Sequence, residues 1–242
     1  MVLVFHSAAS RGFANHGWLQ ANHSFSFANF YNPEKMNFGV LRVLNDDLIA
    51  PGMGFETHPH NNMEIITIPL SGLLKHKDSM GNYWEEVKAG EVQVMSAGTG
   101  IHHSEINGSI SEPLSLFQIW ILPNKNNVTP RYDQRYFEQS PKGELQILVS
   151  SIDDISTEDS SLKIHQDAQI SRINLSANTT FEYVLKSSNH GVYVMQVSGT
   201  SKIETTKLKA RDAVEISEIK DFEIEAKEDS QLLFIEVPVT FT

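Results

Sequence analysis

The chain has 242 residues, of which 40% are hydrophobic, 9% are aromatic and 20% are charged. That length allows one large domain or two domains of about 120 residues each, and the composition is that of a globular protein. The chain contains no Cys, which excludes disulfides, thiolate zinc sites, iron–sulfur clusters and Cys nucleophiles and fits a reducing cytosol.

Acidic residues outnumber basic residues by 30 to 19, and the formal net charge is −11. A negative field repels phosphate backbones and the Lys and Arg residues are scattered, so direct nucleic-acid binding is not expected. The N-terminal segment lacks the basic region of a signal peptide. The longest apolar segment, residues 114–122, is far shorter than the roughly 20 residues that cross a bilayer. We therefore expect a cytoplasmic protein without a membrane partner.

Short runs of alternating or continuous apolar residues recur along the chain, as expected for β-strands. In chain order they cover residues 39–43, 63–70, 91–95, 116–122, 145–149, 192–197 and 231–237. Turns that contain Gly separate them, for example at Gly72 and Gly199. Helical periodicity does not persist over three turns in any window, so the sequence predicts an all-β chain of the sandwich or barrel type.

The two halves of the chain resemble each other, and a polar stretch at residues 124–143 is predicted to link them. Three pairs of segments correspond between the halves: residues 69–72 with 196–199, 88–94 with 209–215, and 116–123 with 232–238. A weak repeat of this length predicts two duplicated domains rather than a solenoid.

Eight of the ten His residues lie within the first 103 positions, and some of them have the spacing of metal ligands. The first such group is His58 and His60, which flank Pro59. Residues two apart on a strand project from the same face, so both imidazoles can reach one point. Pro59 lacks a backbone N–H donor, which favours an edge strand or the start of a strand.

The second group is His103 and Glu105, which have the same spacing and follow a Gly-rich turn at residues 96–101. Together with His58 and His60 they offer three imidazoles and one carboxylate, a mixed nitrogen and oxygen set that suits a borderline divalent metal. Such a set leaves coordination positions open, as a catalytic metal requires.

Around these two groups the sequence resembles the two cupin motifs, over residues 52–72 and 90–107, each with one residue of departure from the pattern. Over a longer span, about residues 10–136 and then 161–167, the chain resembles the pirin family, and within it the bacterial pirin-like quercetin 2,3-dioxygenases. The segments that carry this resemblance include Asn-His-Gly-Trp at 15–18, Ser-Phe-Ser-Phe-Ala-Asn at 24–29, Thr-His-Pro-His at 57–60, Met-Ser-Ala-Gly-Thr-Gly-Ile at 95–101 and His-Ser-Glu at 103–105.

The resemblance implies a bicupin fold of two tandem cupin barrels, each a jelly-roll double-stranded β-helix. A metal-binding N-terminal domain is expected over residues 1–136, and a degenerate cupin domain without metal ligands over residues 137–242. The family pattern places the metal ligands at His58, His60 and His103, with Glu105 as the fourth ligand.

Glu64 is the rival carboxylate, because many other cupins take their carboxylate ligand from that position. Both Glu64 and Glu105 have the parity to face inward, so periodicity does not choose between them. The resemblance favours Glu105 as the ligand. Glu64 is then a residue that orients a ligating His, an inward polar wall of the pocket or an ordinary carboxylate at the barrel mouth.

Other His and aromatic residues have separate expectations. His102 should point away from the site, opposite to His103, and His76 should be solvated near a hairpin. His165 is expected to be buried and hydrogen-bonded rather than part of the site. For a group in the N-terminal segment, a core position that covers the barrel end is preferred to a position in the pocket wall. This group is His16, Trp18, His23, Phe25, Phe27, Phe30 and Tyr31.

The C-terminal copy lacks the site. The positions that correspond to the first His pair, counted back from Gly199, are Leu185 and Ser187. His190 stands alone, and a His-x-Glu segment does not follow it. We expect this half to pack against the first barrel or to cover it.

A metal site with open positions supports functions of different classes. The resemblance implies a metal-dependent dioxygenase, in which a flavonol such as quercetin coordinates the metal through its hydroxyl and adjacent carbonyl. Dioxygen then adds across the ring, which opens with loss of carbon monoxide. Glu105 would be the catalytic residue that takes the hydroxyl proton as a general base.

The alternative is a metal- or redox-sensing regulatory protein that acts through a protein partner, as the pirin name implies in eukaryotes. A phosphosugar isomerase ranks last, because only Lys75, Lys77 and Arg131 are candidates to bind an anion near the His pairs.

We expect one divalent metal ion, with Fe2+ first and Mn, Co, Ni, Cu and Zn as alternatives, because His and carboxylate ligands suit all of these in different degrees. The expected partners are a small aromatic or flavonol substrate and dioxygen, together with a protein partner in the regulatory alternative. A monomer is the expectation for a pirin of two barrels.

Overall fold

The computed structural model describes residues 1–81, 83–154 and 160–239, and within these ranges the chain forms 22 β-strands and one 3-10 helix, at Ala8–Ser10. The first twelve strands are β1 (Val2–His6), β2 (Gly12–Asn15), β3 (Leu19–His23), β4 (Leu41–Ile49), β5 (Gly54–His60), β6 (Glu64–Ser71), β7 (Leu73–Asp78), β8 (Glu85–Lys88), β9 (Glu91–Ser96), β10 (Ile101–Asn107), β11 (Leu114–Ile121) and β12 (Arg131–Tyr136). The other ten are β13 (Gln146–Ser151), β14 (Leu162–Ile164), β15 (Gln169–Leu175), β16 (Thr180–Val184), β17 (His190–Ser198), β18 (Thr200–Ile203), β19 (Thr206–Lys209), β20 (Ala213–Ser217), β21 (Asp221–Ala226) and β22 (Ser230–Pro238).

Each half of the chain is a barrel built from one seven-stranded and one four-stranded sheet. In the first barrel the orders are β12-β9-β6-β11-β4-β3-β2 and β5-β10-β7-β8. In the second barrel they are β1-β20-β17-β22-β15-β13-β14 and β16-β21-β18-β19. The predicted all-β fold of two tandem cupin barrels is confirmed.

The strand orders also confirm the predicted duplication, because the barrels correspond strand by strand. The series β9-β6-β11-β4 matches β20-β17-β22-β15, and β5-β10-β7-β8 matches β16-β21-β18-β19. Gly72 and Gly199, which suggested the repeat, turn the chain at equivalent points with φ angles of 88° and 77°. Gly is favoured at both positions because other residues rarely adopt positive φ.

The two barrels pack against each other through their seven-stranded sheets. One buried apolar cluster joins Ile66 and Phe117 of the first barrel to Leu148, Tyr193 and Ile235 of the second. Burial of so many apolar side chains between the sheets is the main stabilising contribution at this junction. The second half therefore packs against the first, as expected.

Two strands depart from a simple division of the chain. β1 pairs with β20, so the first residues of the chain complete the sheet of the second barrel. β12 lies inside the stretch predicted as a linker, residues 124–143, and pairs with β9. The linker expectation is wrong for residues 131–136, because this strand is polar and partly exposed and therefore carries no apolar signal. The domain boundary between residues 136 and 137 stays a prediction.

None of the described segments is a helix with the length and apolar character that crossing a membrane requires.

Candidate metal centre

Three imidazoles converge where β5 and β10 pair. The register places His58 opposite His103 and His60 opposite Ile101. One ring nitrogen from each of His58, His60 and His103 lies within 4.8 Å of the others, so the group can hold a metal ion. The sequence-predicted pairing of the two His-containing segments is thus what the fold produces.

The local sequence explains the position of β5. This strand is at the edge of the four-stranded sheet and, among the described strands, pairs with β10 alone. Pro59, which lies between the two His residues, therefore leaves no ladder hydrogen bond unmade in the sheet interior. Gly54 permits the close approach of β5 to β10, since a Cβ atom there would lie 2.1 Å from the carbonyl oxygen of Glu105.

Hydrogen bonds at Nδ1 orient two of the three rings, those of His58 and His103. His58 donates from Nδ1 to the carbonyl oxygen of Glu56 at 2.7 Å, which leaves its Nε2 lone pair available to a metal. His103 uses Nδ1 toward Nε2 of His76 at 3.1 Å. Nε2 of His103 is buried and has no hydrogen-bond partner in the described ranges. A buried nitrogen without a partner, beside two other imidazoles, fits a metal ligand.

The surroundings of His60 and His103 favour the neutral form of these two imidazoles. Burial first, and then the neighbouring His58, lowers the pKa of His60 to about 4. Burial, followed by the rings of His58, His76 and His60, lowers the pKa of His103 to about 2. Because only a neutral imidazole binds a metal, both rings are ready to act as ligands at neutral pH.

Glu105 is buried in the same barrel, on β10, but does not belong to the group of three converging ligand atoms. Its two carboxylate oxygens accept hydrogen bonds from Nε2 of Gln118 at 3.4 and 3.2 Å. Burial raises the pKa of Glu105 to about 7, against the lowering effect of the Gln118 hydrogen bond. A carboxyl group with this pKa can take up or release a proton near neutral pH.

His76 lies directly behind the centre, and the expectation that it is solvated is wrong. Its register partner on β10 is Glu105, so its side chain points into the barrel, where it is 1% exposed. It stacks on Tyr132 with the ring centroids 5.0 Å apart. Sequence reasoning missed it because the register of β7 against β10, rather than the spacing of its neighbours, decides which way it points.

Glu64 does not face the cavity, and the expectation that its parity turns it inward is wrong. On β6 the neighbouring Ile65 pairs with Trp120, a residue of the cavity wall, so Glu64 lies on the other face. There its carboxylate accepts a hydrogen bond from Ser96 Oγ at 2.6 Å. Burial raises its pKa, opposed by that hydrogen bond and by Arg131. Glu64 therefore faces the junction with the second barrel.

A cavity of about 630 Å³ lies between the two sheets of the first barrel, with the three imidazoles in its wall. This is the size of a small-molecule site. Most of the remaining wall is apolar or aromatic, from Trp18, Leu19, Ala21, Phe27, Met53, Phe55 and Trp120. The other polar side chains of the wall are His23, Asn45, Asp47 and Gln118 on the seven-stranded sheet and Glu56, Thr57 and Glu105 on the four-stranded sheet.

The His and aromatic residues of the N-terminal segment lie in the cavity wall, in the core or at the surface. Trp18, His23 and Phe27 line the cavity, so the preferred core assignment is wrong for them. Phe25 is in the core as expected, while Tyr31 is 73% exposed. For the rest, His16 is exposed and Phe30 is half-buried.

The exposure of His102 and of His165 tests the two remaining expectations for His residues. His102 is exposed, opposite to His103, as expected. His165 is half-buried rather than buried, and it is absent from the described cavity wall. Sequence reasoning missed Asn45, Asp47 and Gln118, although polar residues within apolar strands were a usable signal.

The second barrel has an apolar interior at the equivalent place. Its strands β16 and β21, which are described throughout, contain no His. Tyr183 of β16 stacks on Phe234 with the ring centroids 4.6 Å apart, and Phe222 packs beside them. His190 is not on these strands, and its Nδ1 lies 2.9 Å from one carboxylate oxygen of Glu236, whose other oxygen accepts a hydrogen bond from the Tyr183 hydroxyl. A cluster of buried apolar side chains therefore lies inside the second barrel.

Family models and relatives agree on what the chain resembles. The Pirin model matches residues 5–121, and the model of the quercetinase C-terminal cupin domain matches residues 148–237. A quercetin 2,3-dioxygenase of Escherichia coli (strain K12) is 44% identical over 98% of this chain and 99% of its own length. A pirin-like protein of Caulobacter vibrioides is 40% identical over 93% of this chain and 95% of its own length.

Solved structures that resemble this chain include proteins with the same names. The bacterial pirin YhhW of Escherichia coli, in complex with nickel(II), is 42% identical, with a TM-score of 0.91 over 99% of this chain and all of that one. A quercetin 2,3-dioxygenase of Acinetobacter baumannii shares the fold at 20% identity, with a TM-score of 0.78 over 98% of this chain and 79% of that one. With two cupin barrels, and with such identity over nearly its whole length, the chain belongs to the pirin family.

Proposed function

We propose that this protein is a metal-dependent dioxygenase that opens flavonols such as quercetin with dioxygen. The observation that carries the proposal is the convergence of His58, His60 and His103 at the wall of a largely aromatic cavity. The name of the Escherichia coli relative, quercetin 2,3-dioxygenase, supports it at 44% identity over nearly the whole of both chains.

The metal would be one divalent ion held by His58, His60 and His103, with Glu105 as the fourth ligand. Iron(II) is the proposed native ion, although the same ligand set suits other divalent ions and the related YhhW structure contains nickel(II). When bound, such an ion polarises chelating oxygen atoms of a substrate and provides a position for dioxygen.

Glu105 would act as the general base for the flavonol hydroxyl. Burial makes this carboxylate more basic than an exposed one, which favours its acceptance of that proton. Thr67 donates from Oγ1 to Oε1 of Gln118 at 3.1 Å, so the amide of Gln118 presents its NH2 group to Glu105. The pair Thr67 and Gln118 thus orients the base.

The cavity wall would position the substrate and exclude water. Trp120 packs edge-on against His60, with the ring centroids 4.9 Å apart, and Phe27 packs edge-on against Trp120 at 5.3 Å. Aromatic walls of this kind favour a flat aromatic ligand next to the metal centre. Exclusion of water strengthens the interaction between the deprotonated hydroxyl and the centre.

The test couples oxygen consumption to the loss of flavonol absorbance in protein reconstituted with Fe2+, Mn2+, Ni2+ or Co2+. We expect equal molar loss of oxygen and quercetin, with release of carbon monoxide. His103→Ala should abolish both, and His102→Ala, which removes the adjacent exposed imidazole, should leave both unchanged. A lack of turnover with every reconstituted metal would contradict the proposal.

The alternative of a metal-sensing regulator gains no support from the Escherichia coli relatives, which carry an enzyme name. A monomeric state, a cytoplasmic location, the lack of nucleic-acid binding and a protein partner stay predictions from the sequence.

A further inference from the structure

One carboxyl group in the cavity has a role that the metal centre does not explain. Asp47, on β4, lines the cavity and is only 5% exposed. Its Oδ1 atom is buried and has no hydrogen-bond partner among the described residues. Buried polar groups are nearly always paired, because an unpaired one loses its hydration without compensation.

Asp46, the residue before Asp47, has hydrogen-bond partners within the protein. Asp46, which points to the opposite face of β4, accepts hydrogen bonds from Arg11 at 3.1 Å and from Arg211 at 2.9 Å. Both hydrogen bonds are accepted by Oδ2, so Asp46 has charged partners within the protein. Asp47 is one position further along the strand and lines the cavity, so a molecule in the cavity can provide a partner for Oδ1.

The polar neighbours of Asp47 in the cavity are already engaged. His23 Nδ1 donates to Asn45 Oδ1 at 2.9 Å, so these two atoms are paired with each other. Gln118 is held between Thr67 and Glu105. Asp47 is therefore a hydrogen-bonding group left free for a ligand, on the sheet that faces the strands of the metal centre.

Charge favours a hydroxyl partner over an anion. Burial, followed by the charges of Asp46 and Glu105, raises the pKa of Asp47 to about 8. Near neutral pH the group can donate to a hydroxyl oxygen in its acid form and accept from a hydroxyl proton in its ionised form. The aromatic walls on either side select a flat ligand that carries such a hydroxyl.

We propose that Asp47 determines substrate specificity by binding a phenolic hydroxyl group on the part of the flavonol that does not chelate the metal. This assignment rests on the proposed function and defines its substrate class as polyhydroxylated flavonols. A flavonol that has only the chelating hydroxyl and carbonyl leaves Asp47 buried and unpaired. Sites built to pair with a hydroxyl reject the analogue that lacks it, for that reason.

The test compares the binding of quercetin with that of 3-hydroxyflavone, which has the chelating pair alone. Binding is measured without oxygen, by quenching of the emission of Trp18 and Trp120 in the cavity wall, on the protein purified with its metal. The measured quantity is the ratio of the two dissociation constants, which cancels changes that affect both ligands equally.

Asp47→Leu should lower the preference for quercetin by about tenfold or more, through weaker quercetin binding and tighter 3-hydroxyflavone binding. Asp47→Asn keeps the shape and should retain part of the preference. Asp133→Asn, a change of carboxyl to amide outside the cavity wall, should behave as wild type. The Asn variant keeps the test valid if the Leu variant fails to fold.

Two results would overturn the assignment. Quercetin turnover with an unchanged ratio in both Asp47 variants removes Asp47 from substrate selection and leaves the dioxygenase function standing. Failure of the wild-type protein to bind quercetin at all overturns the assignment together with the proposed flavonol activity.

Discussion

Nε2 of His76 lies 3.1 Å from Nδ1 of His103. This contact fixes the ring of His103 from behind and directs its other nitrogen, which has no partner in the described ranges, toward His58 and His60. The ring of His76 is itself held by stacking on Tyr132. A metal-binding His needs such a partner to set its tautomer and its orientation.

His76→Leu should therefore weaken metal affinity by about 10- to 100-fold, because the ring of His103 loses the partner that orients it. His76→Gln, which keeps a polar group near Nδ1 of His103, should recover part of the loss. Competition with a chromogenic chelator measures both effects, and Lys77→Leu, one position along β7, is the control. Equal affinity in wild type and His76→Leu would show that the contact does not orient the ligand.

Substitution of Glu105 and substitution of Glu64 should have different effects on metal binding. Glu105→Gln removes a carboxylate from the cavity and should lower both metal affinity and oxygen uptake. Glu64→Gln acts on the other face of the sheet, next to Ser96, and should leave metal content unchanged. Metal analysis of the two purified variants decides between them. Loss of metal in Glu64→Gln but not in Glu105→Gln would reverse the assignment.

Gln118 should set the pH dependence of catalysis through Glu105. Its hydrogen bond lowers the pKa of Glu105, so Gln118→Leu should raise that pKa. Catalysis needs ionised Glu105 and is lost as the pH falls through this pKa. The acidic limb of kcat/KM should therefore move to higher pH in the variant. Profiles between pH 5.5 and 9 test this, and superimposed acidic limbs would exclude Glu105 as the base.

The second barrel should contribute stability without contributing to the metal site. The carboxylate of Glu236 is fully buried and accepts hydrogen bonds from the Tyr183 hydroxyl and the Lys186 amide, both at 2.8 Å, and contacts His190. Glu236→Ala leaves the buried Tyr183 hydroxyl and His190 ring without this partner, which should cost about 3 kcal/mol or more of the free energy of unfolding.

Urea denaturation measures that cost, and metal analysis of the same variant provides the comparison. Tyr183→Phe, which removes only one hydrogen bond of the group, should cost about 1 kcal/mol. A Glu236→Ala variant that is as stable as wild type, or one that loses its metal while folded, would contradict this division of roles.

Local spacing was sufficient to predict that the three imidazoles converge. His58 and His60 share a face of one strand, and His103 lies on the strand beside it, so the parity of each short segment was enough. The same parity argument failed for Glu64, because a turn separates β5 from β6 and the two strands belong to different sheets. The alternation of side chains along β5 therefore does not predict which face of β6 a residue occupies.

The directions in which the side chains of His76 and Asp47 point could not be predicted from their neighbours in the sequence. His76 points inward because β7 pairs with β10 in a register that aligns it with Glu105. Asp47 faces the cavity and Asp46 the second barrel, although the two are adjacent and chemically identical. Register and long-range ion pairs, such as that of Asp46 with Arg211, decide such cases.

The central claim is that one metal ion at the three imidazoles carries quercetin oxidation. The most direct measurement titrates Fe2+ into metal-free protein without oxygen and then records quercetin-dependent oxygen uptake at each metal content. We predict that uptake rises in proportion to bound metal and reaches its maximum at one ion per chain. Uptake that is equally fast in metal-free protein, or that does not respond to bound metal, would contradict the account.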